Sequence, residues 1–298
     1  MVYQKPSDKQ SKRLAGRLRR LADAGIKAVF GFWFLVFVKN RKPKTKNPML
    51  LAIDIGNSSA KFGVFAGEKL ITRFSIPTLG NQTADEINDS AKENLNYAIS
   101  AVIVSSVVPE LNESIQKFGE TRFNLKPFFV ESDSDFGLKI RYNPPDALGI
   151  DRAVAAFAAR EKYGKPVIVC DFGTATTIDY VNQAGEFAGG VITPGIETLT
   201  DSLFQKTSRL PKIEIEKPEK VIGDSTVSAI QSGIYFGYAG LVKGILQKIF
   251  EELSEKPKVV ATGGFASIIA ESVGEIEIID ENLMLEGLRL IYEKMRDK

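Results

Sequence analysis

The sequence predicts an α/β protein made of two copies of one unit, each a mixed sheet flanked by helices, with a cleft between the copies. Three observations predict it. Leu50-Leu-Ala-Ile-Asp-Ile-Gly56 and Val167-Ile-Val-Cys-Asp-Phe-Gly173 share one pattern of four apolar residues, Asp, an apolar residue and Gly. Each copy continues into two further apolar runs joined by short polar turns. After each such meander, helical and strand patterns alternate, which asks for parallel strands beside the antiparallel ones.

In chain order, the first copy opens with a buried strand over 50–56, bounded by its glycine. A second strand, Ala60 to Phe65, and a third, Leu70 to Ser75, flank the tight turn Ala66-Gly67-Glu68. The pattern then reads as a helix over 83–97, a strand over 101–105, a helix over 109–118 and a strand over 127–131. A helix begins at or beside Asp151. The second copy repeats the meander with strands over 167–173, 176–181 and 187–192. Helices over 196–206 and 226–253, a strand over 258–262, a short helix from Phe265, a strand over 275–279 and a helix over 285–295 complete it. These elements divide the chain into an N-terminal extension (1–48), a first domain (49–164) and a second (165–298). No short-period repeat marks a solenoid.

Charge separates the extension from the rest. Of 39 Lys and Arg residues, 13 fall in the first 48 positions with only Asp8 and Asp23 opposing them, so this segment carries +11 and the remainder −9. An acidic main body argues against a nucleic-acid-binding enzyme. The extension contains an apolar run from Ala28 to Val38 between basic clusters. Eleven helical residues reach about 17 Å, short of a ~30 Å hydrocarbon core, so a membrane span is not expected. Lys39-Asn-Arg-Lys-Pro-Lys follows where a signal peptide needs a small-residue cleavage site. Membrane contact, as an interfacial anchor, is expected only through residues 24–38; the alternative, which we favour, sets the whole extension outside the fold ahead of Met49.

The chain has no histidine and one cysteine, Cys170. That excludes His-based triads, imidazole metal sites and an internal disulfide, and it reads as a cytoplasmic protein whose general base is a carboxylate. Neither a P-loop pattern nor a dinucleotide-binding glycine pattern occurs.

Four stretches carry candidate chemistry. In Asp54-Ile-Gly-Asn-Ser-Ser-Ala-Lys61, the glycine permits a sharp turn, the hydroxyls and amides donate to phosphate, Lys61 adds charge, and Asp54 can hold hydrated Mg²⁺. Alone, this loop reads equally as a hairpin whose Asp caps its turn. Its echo, Asp171-Phe-Gly-Thr-Ala-Thr176, shifts the balance, because two such hairpins can grip a phosphate chain from opposite sides. In Thr262-Gly-Gly264, glycine lets the backbone approach a base or ribose, or simply gives a flexible helix entry. In Arg141-Tyr-Asn-Pro-Pro-Asp-Ala-Leu-Gly-Ile-Asp-Arg152, Asp151 is either a helix cap or a carboxylate that orients an attacking hydroxyl, and Arg152 is either solvated or a fork for a substrate carboxylate. The near-helical glycines from Gly233 to Gly240 suit close helix packing.

From Leu50 onward the chain resembles the type III pantothenate kinases, of the actin, sugar-kinase and chaperone ATPase superfamily. The ordered set that carries the resemblance includes Asp54-Ile-Gly-Asn57, Ser105-Ser-Val-Val-Pro109, Asn143-Pro144, Gly149-Ile-Asp-Arg152 and Asp171-Phe-Gly-Thr-Ala-Thr-Thr177. It continues with Gly190-Val-Ile-Thr-Pro-Gly195, Arg209-Leu-Pro211, Ile222-Gly-Asp-Ser-Thr226, Ala229-Ile-Gln-Ser-Gly233, Ala261-Thr-Gly-Gly264 and Leu285-Glu-Gly-Leu288.

The resemblance implies duplicated ribonuclease H-like, actin-like ATPase domains and ATP-dependent phosphorylation of pantothenate to 4'-phosphopantothenate, the entry to coenzyme A. It implies ATP binding by Asp54, Ile55, Gly56, Asn57, Ser58, Ser59, Ala60, Lys61 and Thr174. Asp151 is then the proton acceptor; Tyr142, Gly149, Ile150, Asp151, Arg152 and Thr226 line the pantothenate pocket; and Asp171 helps bind K⁺ or NH₄⁺ beside Mg²⁺. It further implies a homodimer. Ser58 stands where the family more often has Thr, keeping the hydroxyl. Two other functions remain open on the same fold: a non-catalytic, transcription-accessory regulator, and an ATP-driven hydrolase or chaperone.

Overall fold

In a computed structural model, residues 49–207 and 210–296 are described; the N-terminal extension with its apolar run, and Arg209 of the motif above, lie outside the described residues. Two mixed sheets form the body. The first contains β1 (Met49–Ile55), β2 (Ser59–Ala66), β3 (Lys69–Pro77), β4 (Ile99–Ser106) and β5 (Phe128–Phe129), in the order β3-β2-β1-β4-β5. In the second, β7 (Val167–Phe172), β8 (Ala175–Val181), β9 (Glu186–Pro194), β10 (Lys258–Thr262) and β11 (Ile278–Ile279) run β9-β8-β7-β10-β11. Order and direction repeat: three antiparallel strands, then two added parallel to the first of them. This is the arrangement that the sequence predicts, two copies of one unit, each a mixed sheet flanked by helices.

The helices are α1 (Ala84–Ala91), α2 (Asn112–Phe123), α3 (Ile150–Tyr163), α4 (Ile196–Gln205), α5 (Thr226–Glu252), α6 (Ala266–Ala270) and α7 (Leu283–Arg296). Strand alternation sorts their partners. Leu51, Ile53 and Ile55 face an outer core with Ile87 of α1 and with Ile115 and Phe118 of α2. Ile168, Cys170 and Phe172 face another with α5 and α6. The intervening residues Leu50 and Ala52 of β1, and Val167 and Val169 of β7, point into one shared core between the sheets. Helices α3 and α7 fill it. The run from Ala153 to Ala159 is buried on every side, and its alanines keep α3 slim enough to lie between two sheets. Each large apolar side chain buried here contributes about 1.5–3 kcal/mol.

Some elements differ from the sequence reading. The helix expected over 83–97 starts at the Thr83 capping box but ends at Ala91, where Asn94 turns back to the Ala91 carbonyl. The helix expected over 109–118 begins as a 3₁₀ turn, Pro109–Leu111, and continues to Phe123. Asn124 stops it with φ 54°, its amide donating to Glu120 O. The strands expected over 127–131 and 275–279 shrink to two residues each. An unread strand, β6 (Lys139–Ile140), pairs parallel with β9, and the buried Glu186 carboxylate anchors it through ion pairs with Lys139 and Arg141. No helix among the described residues is long and apolar enough to cross a membrane.

Candidate active site

The two hairpins meet. Asp54 and Asp171 stand at the C-terminal ends of β1 and β7, in phase with the inward-facing residues of their strands. In the first hairpin the Gly56 amide donates to Ser59 O at 3.1 Å; in the second the Gly173 amide donates to Ala175 O at 3.2 Å, one residue sooner. The tips touch through Ser58 Oγ and Thr174 Oγ1, 2.7 Å apart. Thr78 braces the first tip by donating from Oγ1 to Gly56 O (2.8 Å) and from its amide to Ser58 O (3.1 Å). Thr174 O receives both the Gly195 amide (3.0 Å) and Thr198 Oγ1 (2.6 Å). A Cβ on Gly195 would lie 2.1 Å from Gly173 O, so only glycine lets this turn support the second hairpin.

Asp151 sits in the first turn of α3. Its Oδ1 accepts from the Arg152 amide at 2.8 Å. Its charge acts on both other acids. Burial pushes Asp54 up to about 7, with Lys61 opposing the rise and Asp171 and Asp151 adding to it. Burial also raises Asp171, again against Lys61 and with Asp151. Lys61 lies opposite Asp54 across β1 and β2 and so serves both acids. Asp151, Asp54, Asp171 and Lys61 are thus coupled by charge, and an added cation would favour the ionised acids. Among the described residues no group of three or more acids, Cys or His converges to hold a metal alone. The carboxylates of Asp54 and Asp171 are the kind of oxygen donor that a hard cation takes.

The remaining predicted residues separate. Ile55 and Ala60 are buried and can offer a ligand only backbone, whereas Asn57 and Ser58 are exposed at the tip and Ser59 is half-buried. Gly263, at φ 92°, folds over the second hairpin so closely that a Cβ would meet Asp171 Oδ1 at 2.5 Å and Phe172 N at 2.6 Å. Gly149 precedes α3 as its N-cap, and a Cβ there would meet Asp151 Oδ1 at 2.5 Å. Arg152 is not solvated, as one of the sequence alternatives had it. It is buried, with Nη2 donating to Asp179 Oδ1 at 2.5 Å and Nε to both Asp179 oxygens at 3.1 and 3.2 Å. Tyr142 flanks its guanidinium, ring centroid 5.4 Å away. Thr226 opens α5 and is exposed, and no hydrogen bond among the described residues ties it to the carboxylates.

Asp179 is the site residue that sequence reasoning missed. Its signal was an acid inside the otherwise apolar run Ile178 to Val181. A polar cavity of about 360 Å³ opens beside Leu148 and Ile150, next to Asp151 in the chain, with Ser106, Glu131 and Asp146 also in its lining.

The chain is similar to known proteins. A family model described as type III pantothenate kinase matches residues 50–248. A type III pantothenate kinase of Geotalea daltonii is 42% identical over 255 residues, covering 84% of this chain and all of the relative. One from Dehalococcoides mccartyi is 44% identical over 250 residues, covering 82% and 95% respectively. Among solved structures, a Baf family transcriptional activator from Campylobacter jejuni superposes with a TM-score of 0.55 at 22% identity, covering 83% of this chain and 100% of that one. At that identity the likeness establishes the fold alone.

Proposed function

The chain belongs to the type III pantothenate kinase family, and from that premise we propose that these carboxylates transfer the γ-phosphoryl group of ATP to the primary alcohol of pantothenate, giving 4'-phosphopantothenate for coenzyme A synthesis. The observation that carries the reading is the meeting of the two acid-bearing hairpins at Ser58 and Thr174, with Asp151 charge-coupled to both of their acids.

In this reading the residues from Asp54 to Lys61, with Thr174, hold the phosphates, replacing the Ser58–Thr174 contact with bonds to phosphate oxygen. Asp151 orients the acceptor hydroxyl and takes its proton as the new O–P bond forms and the bond from γ-phosphorus to the ADP oxygen breaks. A loose transition state asks little of the base, so positioning and charge supply most of the rate. Tyr142, Gly149, Ile150, Arg152 and Thr226 line the acceptor pocket. Asp171 would hold K⁺ or NH₄⁺ and Asp54 would hold Mg²⁺, cations that supply positive charge against phosphate where no P-loop lysine does so. A regulator without catalysis has no use for two buried acids held beside a third.

We assign residues 49–164 and 165–298 to the two duplicated units, the extension 1–48 lying outside them, and propose a cytoplasmic homodimer that binds no nucleic acid. The dimer is supported by an apolar groove of about 380 Å³ between α4 and α5, lined by Leu199, Leu203, Ile234, Gly237 and Leu241 among others. Exposed Val221, Ile222 and Val227 surround the start of α5, so a second copy covering that face would also bury Thr226.

The test measures ADP release with and without pantothenate, in K⁺ and in Na⁺ buffer. Turnover that requires pantothenate and falls in Na⁺ is expected; pantothenate-independent release would mean a hydrolase, and none at all a regulator. In the same assay Asp151→Asn lowers kcat by about a hundredfold or more while ATP binding persists. A variant with wild-type kcat would remove Asp151 from the chemistry.

A further inference from the structure

We propose that Asp179 is a positioning residue of the acceptor site: it holds the Arg152 fork aligned and off the neighbouring Asp151 carboxylate, so that Asp151 stays free to take a proton. This rests on the reading of Asp151 and Arg152 given above.

Asp179 lies on β8 opposite Val169, on the sheet face that looks toward α3, and is 1% exposed. An acid buried there without a partner is strongly disfavoured, and Arg152 is the partner. Asp179 uses only the Nε–Nη2 edge of the guanidinium. Tyr142 and Phe187 flank the group with ring centroids 5.4 and 5.5 Å away, and the two rings meet edge to face at 6.0 Å. Edge and faces together fix the plane of the fork. Gly190 stands opposite Asp179 across β8 and β9, and a Cβ there would lie 2.2 Å from Asp179 Oδ1. The strand therefore gives up a side chain to make room for this carboxylate.

A plain structural ion pair would explain the burial but not the location. Arg152 follows the proton acceptor directly, and its amide already donates to Asp151 Oδ1. Asp151 is also close enough for its charge to act on Asp179. Without Asp179, the buried guanidinium carries an uncompensated charge, and the carboxylate next to it in the chain is Asp151, already bonded to the Arg152 amide. Two opposite effects would then act on an anionic acceptor. Removing a negative charge would tighten its binding, whereas releasing the fork to Asp151 misaligns the donor and occupies the base. Charge-assisted bonds to Asp151 win this contest because they form within one turn of helix, at no cost of ordering a second molecule.

Steady-state kinetics of the full chain test the proposal. Asp179→Asn lowers kcat and raises the KM for pantothenate, each by about tenfold, and leaves the KM for ATP within about twofold. Adding Arg152→Gln removes the misplaced charge, so the double variant recovers kcat relative to Asp179→Asn while the pantothenate KM stays high. Within the Arg152→Gln background, Asp179→Asn changes neither constant by more than about twofold, because Asp179 acts only through Arg152. This last comparison holds even if Asp179→Asn alone does not fold. A pantothenate KM that is unchanged or lower in folded Asp179→Asn, or a further loss in the Arg152→Gln background, would overturn the proposal. If the wild-type chain shows no pantothenate-dependent ADP release, the kinase reading fails first and this proposal falls with it.

Discussion

A carboxyl group as deeply buried as that of Asp54 is disfavoured as an anion by lost hydration, and Lys61 offsets only part of that loss. Its acidity in the fold, about 7, stands well above the ordinary 3.8 of an unfolded chain. Between those values the native state binds a proton that the unfolded state has released, so stability falls as pH rises through the window and stays lower above it. In protein free of nucleotide and metal, Asp54→Asn is therefore expected to raise Tm at pH 8 by more than at pH 4. Thermal melts in EDTA at both pH values check this, and equal shifts would mean that burial does not govern this acid. Asp54 and Asp171 were legible in the sequence because duplication printed the same Asp-x-Gly twice. Asp179 was not, because its partner lies 27 positions away and only folding brings β8 against α3.

At the scale of elements, the meander strands and their turns were readable, whereas the ends of the first two helices and the short edge strands were not. Each three-strand meander follows from apolar runs bounded by Gly67 or Gly185, both at positive φ. The end of α1 needed the competing turn at Asn94, and β6 needed a partner strand from another part of the chain. The 27-residue α5 shows what periodicity hides. It buries Tyr235, Tyr238, Val242 and Leu246 against the second sheet, while Gly233, Gly237, Gly240 and Gly244 face open space. Glycine in a helix interior costs about 1 kcal/mol relative to alanine, so four of them call for close approach of another surface. A second copy of this chain fits that demand. Gly237→Arg, placed in the groove with α4, is expected to halve the mass measured by sedimentation equilibrium while leaving the far-ultraviolet circular dichroism unchanged. A wild-type chain that already sediments as a monomer would sink the dimer.

For the molecule as a whole, the division at residue 164 describes the duplication in sequence, but the packing crosses it. Helix α3, from the first stretch, packs on β7 and β8, and α7, from the end of the chain, packs on β1, β2 and β4. Each sheet thus takes one inner helix from beyond its own stretch, an exchange that strand and helix patterns cannot announce because apolar faces do not name their partners. The consequence is one inner core with residues from both sheets, and hence one cooperative unfolding transition for the described body. Gly287 of α7 sits at the tightest point, where a Cβ would lie 2.9 Å from Ala158 Cβ and 3.0 Å from Val154 Cγ1 of α3. Gly287→Val overpacks this contact at a cost of about 1–3 kcal/mol. That corresponds to a Tm lower by roughly 2–12 °C for a body of this size. Because α3 carries Asp151 on its first turn, the same shift moves the proposed proton acceptor relative to Asp54 and Asp171, and kcat is expected to fall along with Tm. Differential scanning calorimetry decides the point: a single peak that moves intact is expected, and two peaks of which only one responds to Gly287→Val would show that the sheets unfold separately.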